Sequence, residues 1–480
     1  MDRLSKLQNG SDIRGIALGE GANLLEEETR MLTYGFLKVA KEKLKKDNLT
    51  IAVGHDSRIT GESLKDMVID ELLSLGAHVI DTGLSSTPAM FMANVLKEVD
   101  SDASIMITAS HLPMDRNGFK YFTKNGGFEK EDIKSVIDYA SSYIKETKGK
   151  GELSKCNLIS LYSKHLRDII KKETNSDYPL KGLHIVVDAG NGAGGFFATE
   201  VLEKLGANIK GSQFLEPDGT FPNHIPNPED KGAMESICNK VKSEKADLGL
   251  IFDTDVDRVS AVDEKGNEVS RNKIVALAAS LISKEHPNTT VVTDSITSDE
   301  LTQFLEDVLG LNHLRYMRGY RNVINKSMEL EDSELAIETS GHAAYKENFY
   351  LDDGAYLATK IVITLSKGNK ISTILKDLKE PKEAKEIRLK VQSHDFLSYA
   401  DKVLQDFKSF SEKEGFEIVS PNYEGVRINI QKDNVKGWVL LRKSLHDPIL
   451  PMNIEVIKGT VNDILMLMDP FFKQYDELSF

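Results

Sequence analysis

IAVGHDSRITGESLKDMVIDELLSLGAHVIDTG, residues 51 to 83, is the stretch on which the fold reading turns. A short β-branched run opens it, Asp56 follows, a polar turn leads into an amphipathic helix ending at Leu-Gly, and a second short apolar run closes it. The same grammar recurs in HIVVDAGNGAGGFFATEVLEKLGANIKGS (184 to 212) and TVVTDSITSDELTQFLEDVLGLNHLRYMRG (290 to 319). In each, an Asp ends the first strand (Asp56, Asp188, Asp294) and a Gly follows the helix (Gly76, Gly206, Gly310), where a C-cap is expected. Strand, helix, strand at this length implies a right-handed parallel crossover. Three such units with long segments between them predict three related α/β domains rather than a solenoid.

Working outward, KETKGKGELSK (145 to 155) reads as a linker, and a second charged boundary lies around Pro381. Beyond it a helical SHDFLSYADKVLQDFKSF precedes the runs GVRINI and GWVLLR and a last helix, the pattern of a smaller α+β domain. The expected limits are 1–150, 151–268 and 269–380 for the α/β domains and 381–480 for the α+β domain. A length of 480 residues agrees with three or four domains at about 150 residues each. Clefts between domains are a favoured place for a ligand.

Composition narrows the function. Lys and Arg total 61 against 75 for Asp and Glu, a net charge of −14, which repels nucleic acid and anionic membranes. The two cysteines, Cys156 and Cys238, are far apart, so neither a disulfide framework nor a thiolate zinc site is expected. MDRLSKLQNG lacks an apolar signal core, and Ile274 to Ile282 is too short to cross a bilayer. A cytoplasmic location is the expectation.

Five loops could carry chemistry. Thr108-Ala109-Ser110-His111-Leu112-Pro113 follows the strand ASIMIT, and Asn117-Gly118-Phe119-Lys120 comes after it. Ser110 beside His111, with Lys120 returning on the next strand, could be an activated hydroxyl. Alone, the loop reads more readily as a Ser/Pro turn with Asn-Gly making a hairpin. It is not a GxSxG nucleophile elbow.

Asp253-Thr254-Asp255-Val256-Asp257-Arg258 follows LGLIF. Carboxylates at alternate positions of an extended chain converge on one hard cation and would otherwise repel one another. Arg258 could offset the remaining charge or hold a phosphate oxygen. An EF-hand loop fits Glu264 at its twelfth position but not Arg258 at its sixth. A haloacid-dehalogenase loop fails at Asp257, where Thr or Val is needed.

Gly190-Asn191-Gly192-Ala193-Gly194-Gly195 satisfies GxGxxG, yet no carboxylate ends the following strand. The glycines therefore read as structural rather than dinucleotide-binding. Glu338-Thr339-Ser340-Gly341-His342 offers groups suited to sugar hydroxyls, and read alone it is equally a capped polar turn. Arg442-Lys443-Ser444-Leu445-His446-Asp447-Pro448 is a plausible phosphate clamp and, alone, a weak signal.

Together these loops resemble the α-D-phosphohexomutase family, in particular its phosphoglucomutase/phosphomannomutase branch. The match runs from Asp12-Ile13-Arg14-Gly15 to Pro448. TASHLP resembles the family's TASHNP phosphoserine loop and NGFK supplies its Lys. FDTDVDR resembles the metal loop DGDGDR, ETSGH the sugar loop ExSGH, and LRKSLHDP the phosphate loop RxSxTEP. The resemblance implies three α/β domains with mixed sheets and a fourth α+β domain around a central cleft.

It also implies a reaction: hexose 1-phosphate and hexose 6-phosphate interconverted through a phosphoserine and a hexose 1,6-bisphosphate. Ser110 would carry the phosphoryl group. Asp253, Asp255, Asp257 and the Ser110 phosphate would bind Mg²⁺. Arg14, Lys120 and Arg258 would surround the transferring group, with Lys120 and His342 the candidates for acid/base work and His111 placed to assist. Glu338 and Ser340 would hold sugar hydroxyls. Arg442, Ser444 and His446 would hold the other phosphate, together with Arg318 from Arg318-Gly319-Tyr320.

Departures from the family pattern are Leu112 for Asn, Thr254 and Val256 for glycines, and Leu445 and His446 in the clamp. Thr339 matches neither the Met of the glucose/mannose branch nor the Gln of the glucosamine branch, whereas KENFYLDDGAY favours the former. A phosphoglucosamine mutase and a non-catalytic metal-binding relative are the alternatives. Monomer and homodimer are both open, and no nucleic-acid or membrane partner is expected.

Overall fold

The computed structural model describes residues 3–144, 149–444 and 447–479. Two compact units emerge, Met1–Ile282 with Glu334–Lys376, and Ser283–Ser333 with Asp377–Phe480. The chain builds three mixed α/β sheets and an antiparallel C-terminal sheet, the architecture expected of the repeat.

In the first unit, Leu153–Lys155, His78–Leu84, Thr50–His55 and Ala103–Ile107 run parallel and in that order. Arg116–Thr123 and Asp12–Ile16 then continue the sheet antiparallel. The apolar runs are central because both their faces are covered. Ile51, Val53 and Ile105 share one core with Leu32, Phe36, Val68 and Leu72 from the helices Glu26–Leu44 and Gly61–Ser74. Leu153–Lys155, within the stretch read as a linker, is an edge strand paired to Val79–Asp81. Asn117 and Gly118 make no hairpin turn; they lie inside a strand, Gly118 opposite Arg14 and Lys120 opposite Met106.

The second sheet pairs Ile185–Asp188 parallel with Leu248–Phe252, which pairs antiparallel with Val259–Val262. The second repeat departs from the expected grammar. Its helix is a wide π-turn, Phe197–Leu202, followed by a 3₁₀ turn, Glu203–Leu205. Its second strand is reduced to the bridges His184–Asn208 and Asp188–Gln213. Gly76, Gly206 and Gly310 all take left-handed φ after their helices, as predicted. The segment after the third repeat contributes the antiparallel strands Leu335–Ile337, Ala343–Tyr345 and Leu351–Asp352 and the helix Gly354–Ser366 to the first unit.

In the second unit, Thr290–Thr293 pairs parallel with Asn312–Arg315. The C-terminal sheet runs Glu417–Ile418, Val426–Lys432, Val435–Leu441, Ile449–Lys458, Glu383–Val391, Leu478–Ser479. The helices Phe396–Lys413 and Val461–Phe472 cover one face, Phe407, Phe471 and Phe472 meeting Ile428, Val439 and Ile454 in its core. No helix among the described residues is long and apolar enough to cross a membrane.

Candidate active site

The strand Ala103–Ile107 ends where Ser110 begins a turn. Ser110 takes φ +50°, and its amide donates to Thr108 Oγ1 at 2.8 Å. Its hydroxyl donates to Asp253 Oδ2 at 2.8 Å, accepts from Arg258 Nη2 at 3.2 Å and stands 3.3 Å from His111 Nδ1. Two loops 143 residues apart thus meet at one hydroxyl.

The acidic loop follows the buried strand Leu248–Phe252, and Asp253, Asp255 and Asp257 are all fully buried. One carboxylate oxygen from each lies within 4.8 Å of the others. Lys120 Nζ stands 3.1 Å from Asp255 Oδ2 and contacts Asp257 Oδ2 directly. Arg258 forks onto Asp253 from Nε at 3.2 Å and Nη2 at 3.0 Å. Burial and the crowding of carboxylates push Asp253 well above the usual range, partly offset by Arg258. For Asp255 and Asp257 the same burial is outweighed, chiefly by Lys120, and both are lowered.

Main chain, more than side chains, fixes this loop. A Cβ on Gly192 would stand 2.7 Å from Thr254 Cα, and one on Gly354 2.6 Å from the Arg258 carbonyl carbon. Arg258 also bridges backbone to backbone with His342. The glycines of the GxGxxG stretch thus serve close packing, as read from the sequence. Val256, where the family pattern has Gly, takes φ +69° while fully buried, a conformation β-branched residues rarely adopt.

His342 Nδ1 is 2.6 Å from Asp352 Oδ2 and 3.9 Å from Asp257 Oδ1. Burial lowers its basicity, but Asp352 and Asp257 more than compensate and raise its pKa to about 9. His111 behaves oppositely: the Arg258 guanidinium, then burial, hold it down to about 2, so it is neutral. Glu338, Thr339 and Ser340 are buried on the turn closed by Gly341 N to Glu338 O at 3.0 Å. Ser340 Oγ has no hydrogen-bond partner among the described residues. Arg14 reaches this region through Thr108 O at 2.5 Å and pairs with Asp12 at 2.8 Å.

Arg318, Arg442 and Ser444 belong to the second unit. Arg318 Nη1 and Arg442 Nη2 lie 4.0 and 3.9 Å from Glu386, and Arg442 Nη1 lies 3.7 Å from Glu424. Ser444 Oγ accepts from Asp447 N at 3.3 Å. Leu445 and His446 lie outside the described residues.

Three contributors escaped the sequence reading. Thr87 donates its hydroxyl to Asp255 Oδ2 at 2.5 Å, Asp352 backs His342, and Arg58 lies beneath the Ser110 loop. Asp352 had a visible signal, the acid pair of LDDG just past the sugar-type loop. Arg58 had a weaker one, its place two residues after the strand-ending Asp56.

A buried hydroxyl thus faces clustered carboxylates and cations on an α/β frame. The chain matches the family models for α/β/α domains I, II and III of phosphoglucomutase/phosphomannomutase over residues 5–147, 160–266 and 270–381. It is 32% identical to a phosphomannomutase/phosphoglucomutase of Pseudomonas syringae over 424 residues, 87% of this chain and 85% of the relative. The chain therefore belongs to the phosphoglucomutase/phosphomannomutase family of phosphohexomutases.

Among solved structures, a phosphoglucomutase/phosphomannomutase family protein of Burkholderia thailandensis superposes with a TM-score of 0.80 at 24% identity, over 97% of this chain and 96% of that one. An N-acetylphosphoglucosamine mutase of Aspergillus fumigatus, solved with GlcNAc-6P and magnesium, shares the fold at 13% identity and a TM-score of 0.54, over 89% and 77%.

Proposed function

We propose that the protein interconverts hexose 1-phosphates and hexose 6-phosphates, preferring glucose and mannose, through a phosphoserine at Ser110. The observation that carries this reading is the Ser110 hydroxyl held 2.8 Å from Asp253 and 3.2 Å from Arg258. The name of the Pseudomonas syringae relative supports the hexose choice.

The residues suit Mg²⁺. Asp255 Oδ1 and Asp257 Oδ1 are buried with no hydrogen-bond partner among the described residues, as oxygens reserved for a hard cation would be. Asp253, Asp255, Asp257 and a Ser110 phosphate oxygen would hold the ion. When bound it supplies charge neutralisation to the phosphoryl group.

The chain's own residues supply the rest. Phosphorylated Ser110 gives its phosphoryl group to the free hydroxyl of the hexose monophosphate, leaving hexose 1,6-bisphosphate and the serine hydroxyl. The bisphosphate turns over, and its other phosphate returns to Ser110. Arg258, Arg14 and Lys120 stabilise the charge that spreads over the transferring oxygens. His342, charged beside Asp352, can give a proton to the Ser110 oxygen as the phosphoryl group leaves it, and His342 or Lys120 takes the sugar hydroxyl proton only from its neutral form, while neutral His111 accepts from Arg258. By the family resemblance, Glu338 and Ser340 would receive sugar hydroxyls, and Arg442, Ser444, His446 and Arg318 would take the phosphate that stays.

A coupled assay of glucose 1-phosphate to glucose 6-phosphate conversion, with glucose 1,6-bisphosphate and Mg²⁺, tests the reading. Mannose and glucosamine 1-phosphates run alongside it. Highest kcat/KM on glucosamine 1-phosphate overturns the choice of hexose. No turnover of any hexose phosphate overturns the reaction and leaves a metal-binding relative.

A further inference from the structure

Arg58 is wholly enclosed, and both terminal nitrogens of its guanidinium donate into the backbone of the Ser110 loop. Nη1 donates to the carbonyls of Pro113 at 2.8 Å and Arg116 at 2.9 Å. Nη2 donates to those of Leu112 at 2.5 Å and of Ser110 itself. One guanidinium thus collects four main-chain carbonyls from seven consecutive residues, 110 to 116. The fork is itself held in place. Asp56 Oδ2 lies 3.5 Å from Nε, Asp56 Oδ1 accepts from Arg58 N at 2.9 Å, and the Phe221 ring covers the guanidinium at 5.5 Å.

Besides Arg58, the loop's amides reach Thr108 Oγ1, Ala109 O and Pro113 O, and its far end is held where Asp115 O accepts from Ala17 N and Leu18 N and Arg116 pairs with Ile16. Ser110 meanwhile sits at φ +50°, a conformation a non-glycine residue keeps only when its surroundings impose it.

We propose that Arg58 is the positioning residue for Ser110: by gathering the four carbonyls it sets the backbone from which the hydroxyl projects. This rests on Ser110 as phosphoryl carrier and goes beyond it. Arg58 touches neither the Ser110 hydroxyl nor the three carboxylates. Its geometric effect passes through the main chain, while its charge, which Asp253 and Asp255 also feel, is kept in R58K; the geometric effect belongs in kcat rather than in substrate affinity. A lysine cannot replace it, because a single ammonium cannot span four acceptors that a planar fork reaches in pairs.

The test uses the full-length, Mg²⁺-loaded enzyme and the variants R58K and R58A, each assayed below its melting temperature. Misplacing a reacting group by about 1 Å costs about 100-fold, and R58K is expected to lose kcat on that scale with KM within about threefold. Millimolar guanidinium chloride, far below denaturing levels, is expected to restore part of the kcat of R58A and none of that of R58K. A folded R58K with kcat within about twofold of wild type overturns the proposal. So does a folded R58A that guanidinium leaves unchanged, since a mere brace of the fold gives that result. If neither Arg58 variant folds, F221A decides, because it removes only the ring over the guanidinium. It is expected to lower kcat about threefold at constant KM, and unchanged kcat overturns the proposal. Wild-type enzyme inactive on every hexose phosphate sinks the underlying reaction instead, a result distinct from an active wild type that R58K matches.

Discussion

Replacing Lys120 with Met tests the charge balance of the acidic loop directly. Lys120 and Arg258 bring two cations to three fully buried carboxylates, and the Lys120 ammonium touches Asp257 and lies 3.1 Å from Asp255. Met keeps most of the side-chain volume and removes the charge. Breaking a buried pair from one side costs about 3–5 kcal/mol, because the surviving carboxylates lose their partner. At about 2 °C per kcal/mol for a large cooperative unit, the first unit of K120M is expected to melt about 6–10 °C below wild type in chelator. Mg²⁺ at about 100 times its Kd returns about 2.7 kcal/mol, so adding it should close most of the gap. The same addition should move wild type less, since Lys120 already compensates those oxygens. Calorimetry of both proteins with and without EDTA reads the four values. Equal melting in chelator, or an equal Mg²⁺ shift in both, refutes the reasoning.

Peptide mapping after incubation with glucose 1,6-bisphosphate should find one added phosphate on Ser110, and S110A should be inactive. Glu338→Ala should lower kcat/KM by about 100-fold, the scale of about 3 kcal/mol of lost charge-assisted hydrogen bonding, in steady-state assays. Chelation should abolish wild-type turnover and lower its melting temperature by only a few degrees, without unfolding it, and metal-independent turnover would contradict this. His224 stands 3.0 Å from buried Asp188; burial pulls its pKa down, but the carboxylate prevails and raises it. The folded chain therefore binds more protons, and this contribution is complete below about pH 6.5 and fades as pH rises through the folded pKa. The urea-midpoint difference between wild type and H224Q should accordingly shrink from about pH 6 to about pH 9.

What the sequence revealed and what it withheld follow from where the physics is local. The gathering of Asp253, Asp255 and Asp257 was legible because acids alternating after an apolar run form a short-range pattern. The three repeats were legible through strand, turn and helix periodicities that each lie within about thirty residues. The π-turn at Phe197–Leu202 was not, since its apolar spacing imitates an α-helix and only packing chooses between them. Nor was the edge strand Leu153–Lys155, whose side chains are exposed and whose only reason to extend is pairing with Val79–Asp81. Arg58 was hidden for a different reason. Its acceptors are carbonyls 52 to 58 residues away, and carbonyls carry no residue identity. Asp352 stood in plain sight ten residues past His342 but gained meaning only when the hairpin folded back.

Gly192 and Gly354 press their backbones against the metal-type loop from two different elements. The usual way to build such a turn is to put small residues in it. Here the smallness sits in the neighbours, and the loop itself carries Thr254 and Val256. Variation is thereby sorted by address: positions between the carboxylates can change while the flanking chains cannot accept even a methyl group. A library aimed at altering ion preference should diversify residues 254 and 256 and leave 192 and 354 untouched.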